Sequence, residues 1–228
     1  MIFIGVDDTD TLESRGTGHL ARQIAAALAA DYSVLGVTRH QLLMDPRVPY
    51  TAKNSSAAIT LDVNGDIDLG ALQERVKSLM LADYQPGSDP GLCITRTVPA
   101  AVTEFGRMAQ RELVNQEQAR SLAAAHAISL EGLGGDEDGV IGALAAVGLR
   151  ASGEDGRYVL VGRSRQLSGL QPVSAVLAAG ISAVQTLDGQ PVSDGLVQTD
   201  RLRPARRGGQ AIAIVERVGD HWHPLKLD

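Results

Sequence analysis

The sequence contains few of the residues on which several protein classes depend. Cys93 is the single cysteine among 228 residues, which excludes a disulfide framework and a cysteine-rich zinc site. Aromatic residues make up 3% of the chain, too few to supply the stacking platforms typical of single-strand binding. The longest apolar run, residues 173–184, is too short to span a membrane, and no basic segment precedes the first apolar stretch. We therefore expect no membrane association and a cytoplasmic location.

Basic charge is also in short supply. Three lysines and eighteen arginines oppose 27 acidic residues, which gives a net charge of -6 and a pI of about 5.4. Because binding to a nucleic-acid backbone depends on cations, we expect no strong unaided nucleic-acid binding and a small-molecule or nucleotide substrate instead. A homodimer is left open as the assembly. The 44% hydrophobic content is typical of a folded globular chain.

The hydrophobic periodicity predicts an α/β (α+β) fold. The segments follow the order β-α-β-β-α-β, which is ferredoxin-like, and imply a mixed sheet backed by helices. Predicted strands are 2–6, 33–37, 57–63, 91–95, 157–162 and 211–218, and predicted helices are 17–30, 69–80, 99–113, 116–125 and 139–147. Asp68 and Asn115 are predicted helix caps. Because prolines and glycines punctuate the later apolar runs, we predict a core at 1–165 and a smaller β-rich part at 166–228.

Three carboxylates follow the first predicted strand within four residues: Asp7, Asp8 and Asp10. Their mutual repulsion requires a cation or hydrogen bonds. Hard oxygen ligands at a strand end suit Mg²⁺, which binds one or two carboxylates together with substrate phosphates. A solvated acidic turn is the alternative, and the spacing alone does not separate the two. An aspartyl-phosphatase motif is disfavoured because Leu12 stands where that motif has threonine or valine.

Glycine-containing segments precede two of the predicted helices. Gly16, Thr17 and Gly18 open the first helix, where a helix N-terminus presents free N–H groups and glycine lets a phosphate approach the backbone. A plain cap at Thr17 is the alternative. Gly134 and Gly135 belong to an acidic loop before the helix at 139–147. That loop is interpreted either as a second phosphate edge or as tight packing of small residues.

Several cations lie in or near a proline-containing loop at residues 45–56. Arg39, Arg47 and Lys53, together with Asn54, are candidates for holding phosphate. Rigid loops that carry cations are suited to binding anions, and a solvated connection between two strands is the alternative.

Motifs in four parts of the chain resemble those of one family. Residues 4–10 (IGVDDTD) and 16–21 (GTGHLA) resemble the start of the archaeal tRNA(Ile2) agmatinylcytidine synthetases. Residues 45–50 (DPRVPY) and 139–148 (GVIGALAAVG) are similar to two further motifs of that family, in the same order. The resemblance extends over about residues 2–162.

The resemblance implies a kinase-like domain that hydrolyses ATP with Mg²⁺. In such a domain Asp7, Asp8 and Asp10 would hold the metal and the phosphates, and Thr17 would take part in phosphoryl transfer. Lys53 is displaced by comparison with the family's corresponding lysine. The family's OB-fold and zinc ribbon have no counterpart in this sequence, so we expect that the full tRNA reaction does not occur here.

The leading hypothesis is an ATP- and Mg²⁺-dependent phosphoryl-transfer or ligase-type enzyme acting on a small or nucleotide-like substrate. Asp8, Thr17 and Lys53 are the predicted catalytic residues. Positioning and metal charge would supply most of the rate enhancement. Two alternatives stay open, namely a tRNA-modification subunit that requires a partner and a non-catalytic nucleotide-binding regulator.

Overall fold

The structure is a computed structural model that describes residues 1–51 and 53–227. The chain forms two compact units, an N-terminal unit (Met1–Ser152) and a C-terminal unit (Gly153–Asp228). In the part of the chain that the structure describes, no helix has the length and apolar character needed to cross a membrane.

The N-terminal unit is built on an antiparallel sheet. Its strands are β1 (Ile2–Asp7), β2 (Ser33–Gln41), β3 (Ser55–Asp62), β4 (Gly91–Thr95) and β5 (Ser129–Gly132). Their spatial order is β5-β4-β1-β3-β2, and each neighbouring pair is antiparallel. Strand β1 therefore lies at the centre of the sheet, and its carboxyl end carries Asp7.

Helices connect and cover these strands. They are α1 (Thr17–Leu28), α2 (Leu69–Ala82), α3 (Ala100–Ala109), α4 (Gln116–Ala125) and α5 (Gly139–Ser152). The first six elements follow the predicted ferredoxin-like order. Both predicted caps are present, because the Asp68 side chain accepts from the Ala71 N–H and Asn115 forms a capping box with Gln118.

Successive side chains along the central strands point to opposite faces of the sheet, and both faces are buried. Ile4 pairs in register with Ile59 and Ile94, and all three side chains are buried. Full burial of each such side chain is worth about 1.5–3 kcal/mol. Gly5, one residue further along β1, faces in the opposite direction, toward α5.

Helix α5 approaches the sheet closely because glycines of two paired strands, β1 and β4, face it. A Cβ on Gly5 would lie 2.0 Å from the Ala143 carbonyl oxygen, and a Cβ on Gly91 would lie 2.1 Å from the carbonyl oxygen of Gly139. Most of α5 is buried, in keeping with its run of small and apolar residues. This contact places the first turn of α5 beside the end of β1.

The C-terminal unit is rich in short strands and also contains a helix. Its elements are β6 (Arg157–Leu160), β7 (Leu170–Pro172), α6 (Val173–Ala178), β8 (Ala183–Thr186), β9 (Leu196–Gln198), β10 (Ala205–Arg207), β11 (Gln210–Val218) and β12 (His221–Pro224). Strand β11 pairs antiparallel with β10 and β12 and parallel with β8. Both strand directions therefore occur, as expected for a mixed α+β protein.

Three details of the structure differ from the sequence-based expectation. Helix α3 ends at Ala109, not near residue 113, because the Ala109 carbonyl oxygen accepts from the Leu43 N–H at 3.0 Å instead of from a further turn of the helix. Strand β5 lies where a loop was expected. The compact units divide after Ser152, earlier than residue 165, because β6 pairs with β10 in the C-terminal unit.

Candidate active site

A cleft of about 270 Å³ opens at the carboxyl end of β1. Its walls come from the end of β1, the first turn of α1, the loop between β2 and β3, the α3–α4 connection and the start of α5. The antiparallel sheet and the close α5 packing bring these distant segments together. Pockets of this kind are the usual place for a small ligand. The lining residues that carry side-chain charge are Asp7, Asp8, Asp10, Arg47, Lys53, Glu112 and Asp138.

Asp10 and Thr17 form the best-defined contact in this cleft. Oδ1 of Asp10 accepts from the Thr17 backbone N–H at 3.1 Å and from the Thr17 hydroxyl at 2.8 Å. Oδ2 of Asp10 accepts from the Thr51 hydroxyl at 3.0 Å. Asp10 therefore caps α1 and also holds Thr51, so both of its carboxylate oxygens accept hydrogen bonds. A carboxylate at this distance from a hydroxyl is placed to take its proton.

Thr17 itself is buried, and a second threonine completes its surroundings. The Thr9 hydroxyl donates to Thr17 Oγ1 at 3.2 Å, and the Thr9 backbone N–H lies 3.4 Å from the same atom. These contacts hold the Thr17 hydroxyl in one orientation at the start of α1. The first turn of the helix is thus ordered by side chains of the loop that follows β1.

Asp7 is held against α5 in surroundings that disfavour its charge. A Cβ on Gly142 would lie 1.7 Å from Asp7 Oδ2, so only glycine at that position leaves room for the carboxyl group. Burial raises the pKa of Asp7 to about 8, and repulsion from Asp8 and Asp10 adds to the effect. Protonation, or a cation placed beside the carboxylate, would relieve this penalty.

Asp8 occupies the left-handed backbone region, with φ +48°, which is uncommon for a residue other than glycine. Burial raises the pKa of Asp8 to about 6, and the carboxylates of Asp89, Asp10 and Asp138 raise it further. A hydrogen bond from the Asp89 backbone works in the opposite direction. The backbone geometry therefore brings this carboxyl group close to other acids.

The charge of the cleft favours a bound cation. Of its described lining residues, five are acidic and two, Arg47 and Lys53, are basic. Arg47 is paired with Asp45 at 2.8 Å, which holds the pKa of Asp45 at about 2, so Arg47 is already committed to an acid. Within residues 1–51 and 53–227, no three acidic, histidine or cysteine side chains form a ready metal cage. One or two carboxylates with substrate phosphates suffice for Mg²⁺.

The predicted phosphate-binding residues of the loop have separate locations. Lys53 and Asn54 line the cleft. The Asn54 side-chain amide donates to the Leu43 carbonyl oxygen at 2.7 Å, so it also fixes the loop. Arg39 is absent from the described lining of the cleft and donates to Gln41 Oε1 at 3.1 Å.

The four predicted glycines are not among the described residues that line the cleft. Gly16 is the N-cap of α1, and Gly18 lies in its first turn with open space around its Cα. Gly134 packs on the ring of Tyr84, and Gly135, with φ +59°, lies where a Cβ would be 1.7 Å from Asp89 Oδ1. The packing interpretation of this second glycine pair is the one that the contacts favour.

Several lining residues were absent from the sequence-based set. Thr51, Gln116 and Asp138 line the cleft, as do Glu112 and its neighbours in the α3–α4 connection. The predicted extension of α3 concealed that connection. Asp138 had one detectable signal, since it immediately precedes a helix of small residues that the resemblance had already marked.

The fold and the cleft together define an α+β protein with a ferredoxin-like element order and an acidic site at the end of its central strand. No family model matches the chain. One relative is the tRNA(Ile2) 2-agmatinylcytidine synthetase TiaS of Cenarchaeum symbiosum (strain A). It is 26% identical over 149 residues, which is 64% of this chain and 33% of the relative. The chain therefore spans about a third of that relative's length, and the resemblance predicted from the motifs is confirmed.

Solved structures show the same fold. A crystal structure of a tRNA fluorescent labeling enzyme matches with a TM-score of 0.56 and 24% identity, covering 64% of this chain and 35% of the other. A crystal structure of a complex of TiaS with tRNA(Ile2) and ATP matches with a TM-score of 0.56 and 23% identity, covering 64% and 36%. The expected fold is thereby confirmed over that share of the chain.

These comparisons correct the expected partners. The expectation of a small-molecule or nucleotide substrate without strong nucleic-acid binding is wrong, because the relative is a tRNA(Ile2) synthetase and a matching structure contains tRNA(Ile2). Net charge is a poor guide to nucleic-acid binding here because it averages over the whole chain. Residues 1–152 carry 19 acidic and 12 basic residues, whereas residues 153–228 carry eight and nine. An overall charge of -6 therefore says little about a local surface.

Proposed function

We propose that this chain is an ATP- and Mg²⁺-dependent, kinase-like enzyme of tRNA modification, acting in the cytoplasm. The observation that carries the proposal is the contact of Asp10 with the Thr17 hydroxyl in a cleft that also contains Asp7, Asp8 and Lys53. Relatives that act on tRNA and bind ATP support the reaction class.

The carboxylate oxygens of Asp7 and Asp8 are ligands of the kind that a magnesium ion prefers. Asp7 and Asp8 carry raised pKa values because burial and neighbouring acids disfavour their charges, and a divalent cation offsets both causes. Bound there, Mg²⁺ would neutralise phosphate charge and orient the nucleotide. Asp10, the third predicted ligand, already accepts hydrogen bonds at both oxygens, so its first task is to hold Thr17.

The other residues of the cleft have separable tasks. Asp10 is placed to accept the Thr17 proton as that hydroxyl oxygen attacks the γ-phosphorus of ATP, whose bond to the bridging oxygen breaks with ADP as the leaving group. Lys53 supplies positive charge to phosphate oxygens from the exposed rim of the cleft. Catalysis of phosphoryl transfer depends mainly on such positioning and charge stabilisation. The proposed acceptor is a tRNA, because the relative is a tRNA(Ile2) synthetase.

The first experiment measures nucleotide binding by calorimetry. We expect ATP to bind in the presence of Mg²⁺ and the affinity to fall on addition of EDTA. Equal affinity with and without the metal would reject the magnesium site. Thr17→Ser is the matched variant, because it keeps the hydroxyl that donates to Asp10, whereas Thr17→Val removes that hydroxyl at similar volume.

The second experiment measures the reaction. The chain is incubated with tRNA and ATP, with and without agmatine, and both ATP consumption and any change in the tRNA are followed. We expect tRNA-dependent consumption of ATP with the native chain and with Thr17→Ser, and its loss with Thr17→Val. ATP binding without any ATP-dependent change in tRNA would support the regulator alternative.

A further inference from the structure

Gln116, the first residue of α4, makes hydrogen bonds that reach from one wall of the cleft to another. Its side-chain Nε2 donates to Asp138 Oδ1 at 2.7 Å and to the Asp136 carbonyl oxygen at 2.7 Å. Both Gln116 and Asp138 line the cleft. One amide group therefore ties the start of α4 to the loop that leads into α5.

The orientation of this amide is determined by its other side. Gln116 Oε1 accepts from the Arg120 guanidinium at 3.4 Å, one turn further along α4. Arg120 is itself held by Glu137 at 2.5 Å. A flipped amide would direct NH₂ at the guanidinium and oxygen at the carboxylate, so the network permits a single orientation. The donor consequently faces Asp138.

Asp138 is the carboxylate that this amide holds. Its backbone carbonyl accepts from the Ile141 N–H at 3.0 Å, so the residue lies at the entry to α5. Asp138 lines the same cleft as Asp8. Within the described residues, Gln116 uses one oxygen of Asp138 and leaves the other to a ligand. An acid on a loop needs such an outer contact to keep its direction.

We propose that Gln116 is a positioning residue that directs the Asp138 carboxylate toward the metal–nucleotide ligand of this cleft. The inference rests on the proposed function, since it assigns a task within the same site. It adds a carboxylate from the α4–α5 side to those at the end of β1. The effect of Gln116 on a ligand is exerted through Asp138, without contact of its own.

The neighbouring glutamine of the same helical turn provides a matched control. Gln118 Oε1 accepts from the Asn115 backbone N–H at 2.9 Å and closes the capping box of α4. Gln118→Leu thus removes a hydrogen bond from the same turn without touching Asp138. Gln116→Leu removes the bonds to Asp138 and Asp136 and leaves the capping box intact.

The test is a calorimetric titration of the full chain with Mg²⁺ at a fixed concentration of AMPPCP, a non-hydrolysable ATP analogue. We expect both variants to melt at most a few degrees below the native chain, about 2–4 °C, as for the loss of a cap or a hydrogen bond. Gln116→Leu should weaken Mg²⁺-dependent AMPPCP binding about tenfold, as for an outer-shell ligand contact, while Gln118→Leu stays within about twofold of native. Binding of AMPPCP without metal should be the same in all three.

A double-mutant cycle separates positioning from general loosening. If Gln116 acts through Asp138, Gln116→Leu should have no further effect on Mg²⁺-dependent affinity in an Asp138→Asn background. Native-like affinity of Gln116→Leu, equal losses in Gln116→Leu and Gln118→Leu, or additive losses in the cycle would each overturn the assignment. Absence of Mg²⁺-dependent AMPPCP binding by the native chain would overturn the proposed function, and this inference with it.

Discussion

Two acidic, glycine-containing segments of the N-terminal unit differ in how they use similar residues. Residues 7–18 direct Asp7, Asp8 and Asp10 into the cleft, where burial and mutual repulsion raise the pKa values of Asp7 and Asp8. The glycines of this segment are lightly packed. Gly18 has open space around its Cα, and the nearest atom to a Cβ on Gly16 would be Asp10 Oδ2 at 3.8 Å.

Residues 132–142 show the reverse arrangement. Their glycines are tightly packed, since a Cβ on Gly139 would lie 2.3 Å from the Asp89 carbonyl oxygen and 2.5 Å from the Gly91 nitrogen. Glu137 faces Arg120 in an ion pair, and Asp138 alone among the acids of this segment lines the cleft. The hydrogen-bond partners and packing of a glycine or an acid therefore decide its role, whereas composition does not.

The largest expected effect is on stability, and it differs between a glycine of the second segment and one of the first. Gly139→Ala should destabilise the chain by about 3 kcal/mol, because its Cβ meets the backbone of two segments that cannot move apart cheaply. Gly18→Ala should stabilise it by about 0.5–1 kcal/mol, since alanine favours a helix and the site is open. Urea unfolding measures both changes. Equal effects of the two substitutions would contradict the packing described for α5.

The next effect concerns the acids of the first segment. Asp8→Asn should lower Mg²⁺-nucleotide affinity on the order of a hundredfold, because the carboxylate is lost while the amide keeps the shape. Asparagine tolerates the left-handed backbone at this position, so the apo fold should be as stable as native or more so. Calorimetry and thermal unfolding give the two quantities. A variant that melts early but binds Mg²⁺-nucleotide normally would identify Asp8 as a structural residue.

A smaller effect for each pH unit is expected in the metal-free protein. The folded-state pKa values of Asp7 and Asp8, about 8 and about 6, lie above the ordinary value of 3.8. Between these values the folded state binds more protons at these two groups than the unfolded state, so their contribution to stability is greatest at low pH and falls as the pH rises from about 4 to 8. The slope should be on the order of 1 kcal/mol per pH unit for one such group.

Asp7→Asn tests this pH dependence. The variant should lose much of the slope, because one of the two groups no longer titrates. Thermal unfolding in EDTA at pH 5, 6, 7 and 8 measures the effect in both proteins. Native stability that stayed level or rose over this range would be inconsistent with the raised pKa values.

The smallest effect is predicted for an acid of the second segment. Glu137→Gln removes the ion pair with Arg120, in which both side chains are more than a third exposed. Such pairs contribute about 0–1 kcal/mol to stability, so we expect the free energy of unfolding to change by no more than about 0.5 kcal/mol. Mg²⁺-nucleotide affinity should stay close to native. A loss as large as that of Asp8→Asn would place Glu137 among the residues of the site.

Much of the fold was predictable because its signals are local. Strand β4 begins at Gly91 and ends at Thr95, as predicted, and Asp68 and Asn115 cap the expected helices. The end of α3 was harder to predict, since residues 110–113 continue a helical pattern in sequence. A contact with Leu43 ends the helix at Ala109, and no residue of α3 signals it.

The site was predictable only in its first half. The β1–α1 segment contains its chemistry in consecutive residues, so Asp7, Asp8, Asp10 and Thr17 could be named. Arg39 was selected by its charge, yet it donates to Gln41 Oε1 and is not among the described residues that line the cleft. Gln116 and Asp138 belong to separate helices, and their contact depends on how these helices pack.

The sequence alone was enough to predict the order of the first six elements, the caps of α2 and α4 and the acidic end of β1. Each of these depends on neighbouring residues, whose interactions survive in any arrangement of the rest of the chain. The tertiary structure decided which acids face the cleft and which glycines are required. Those choices depend on distances between segments far apart in sequence, such as the approach of Gly142 to Asp7, and on burial, which raises a carboxyl pKa only after the sheet and α5 have packed.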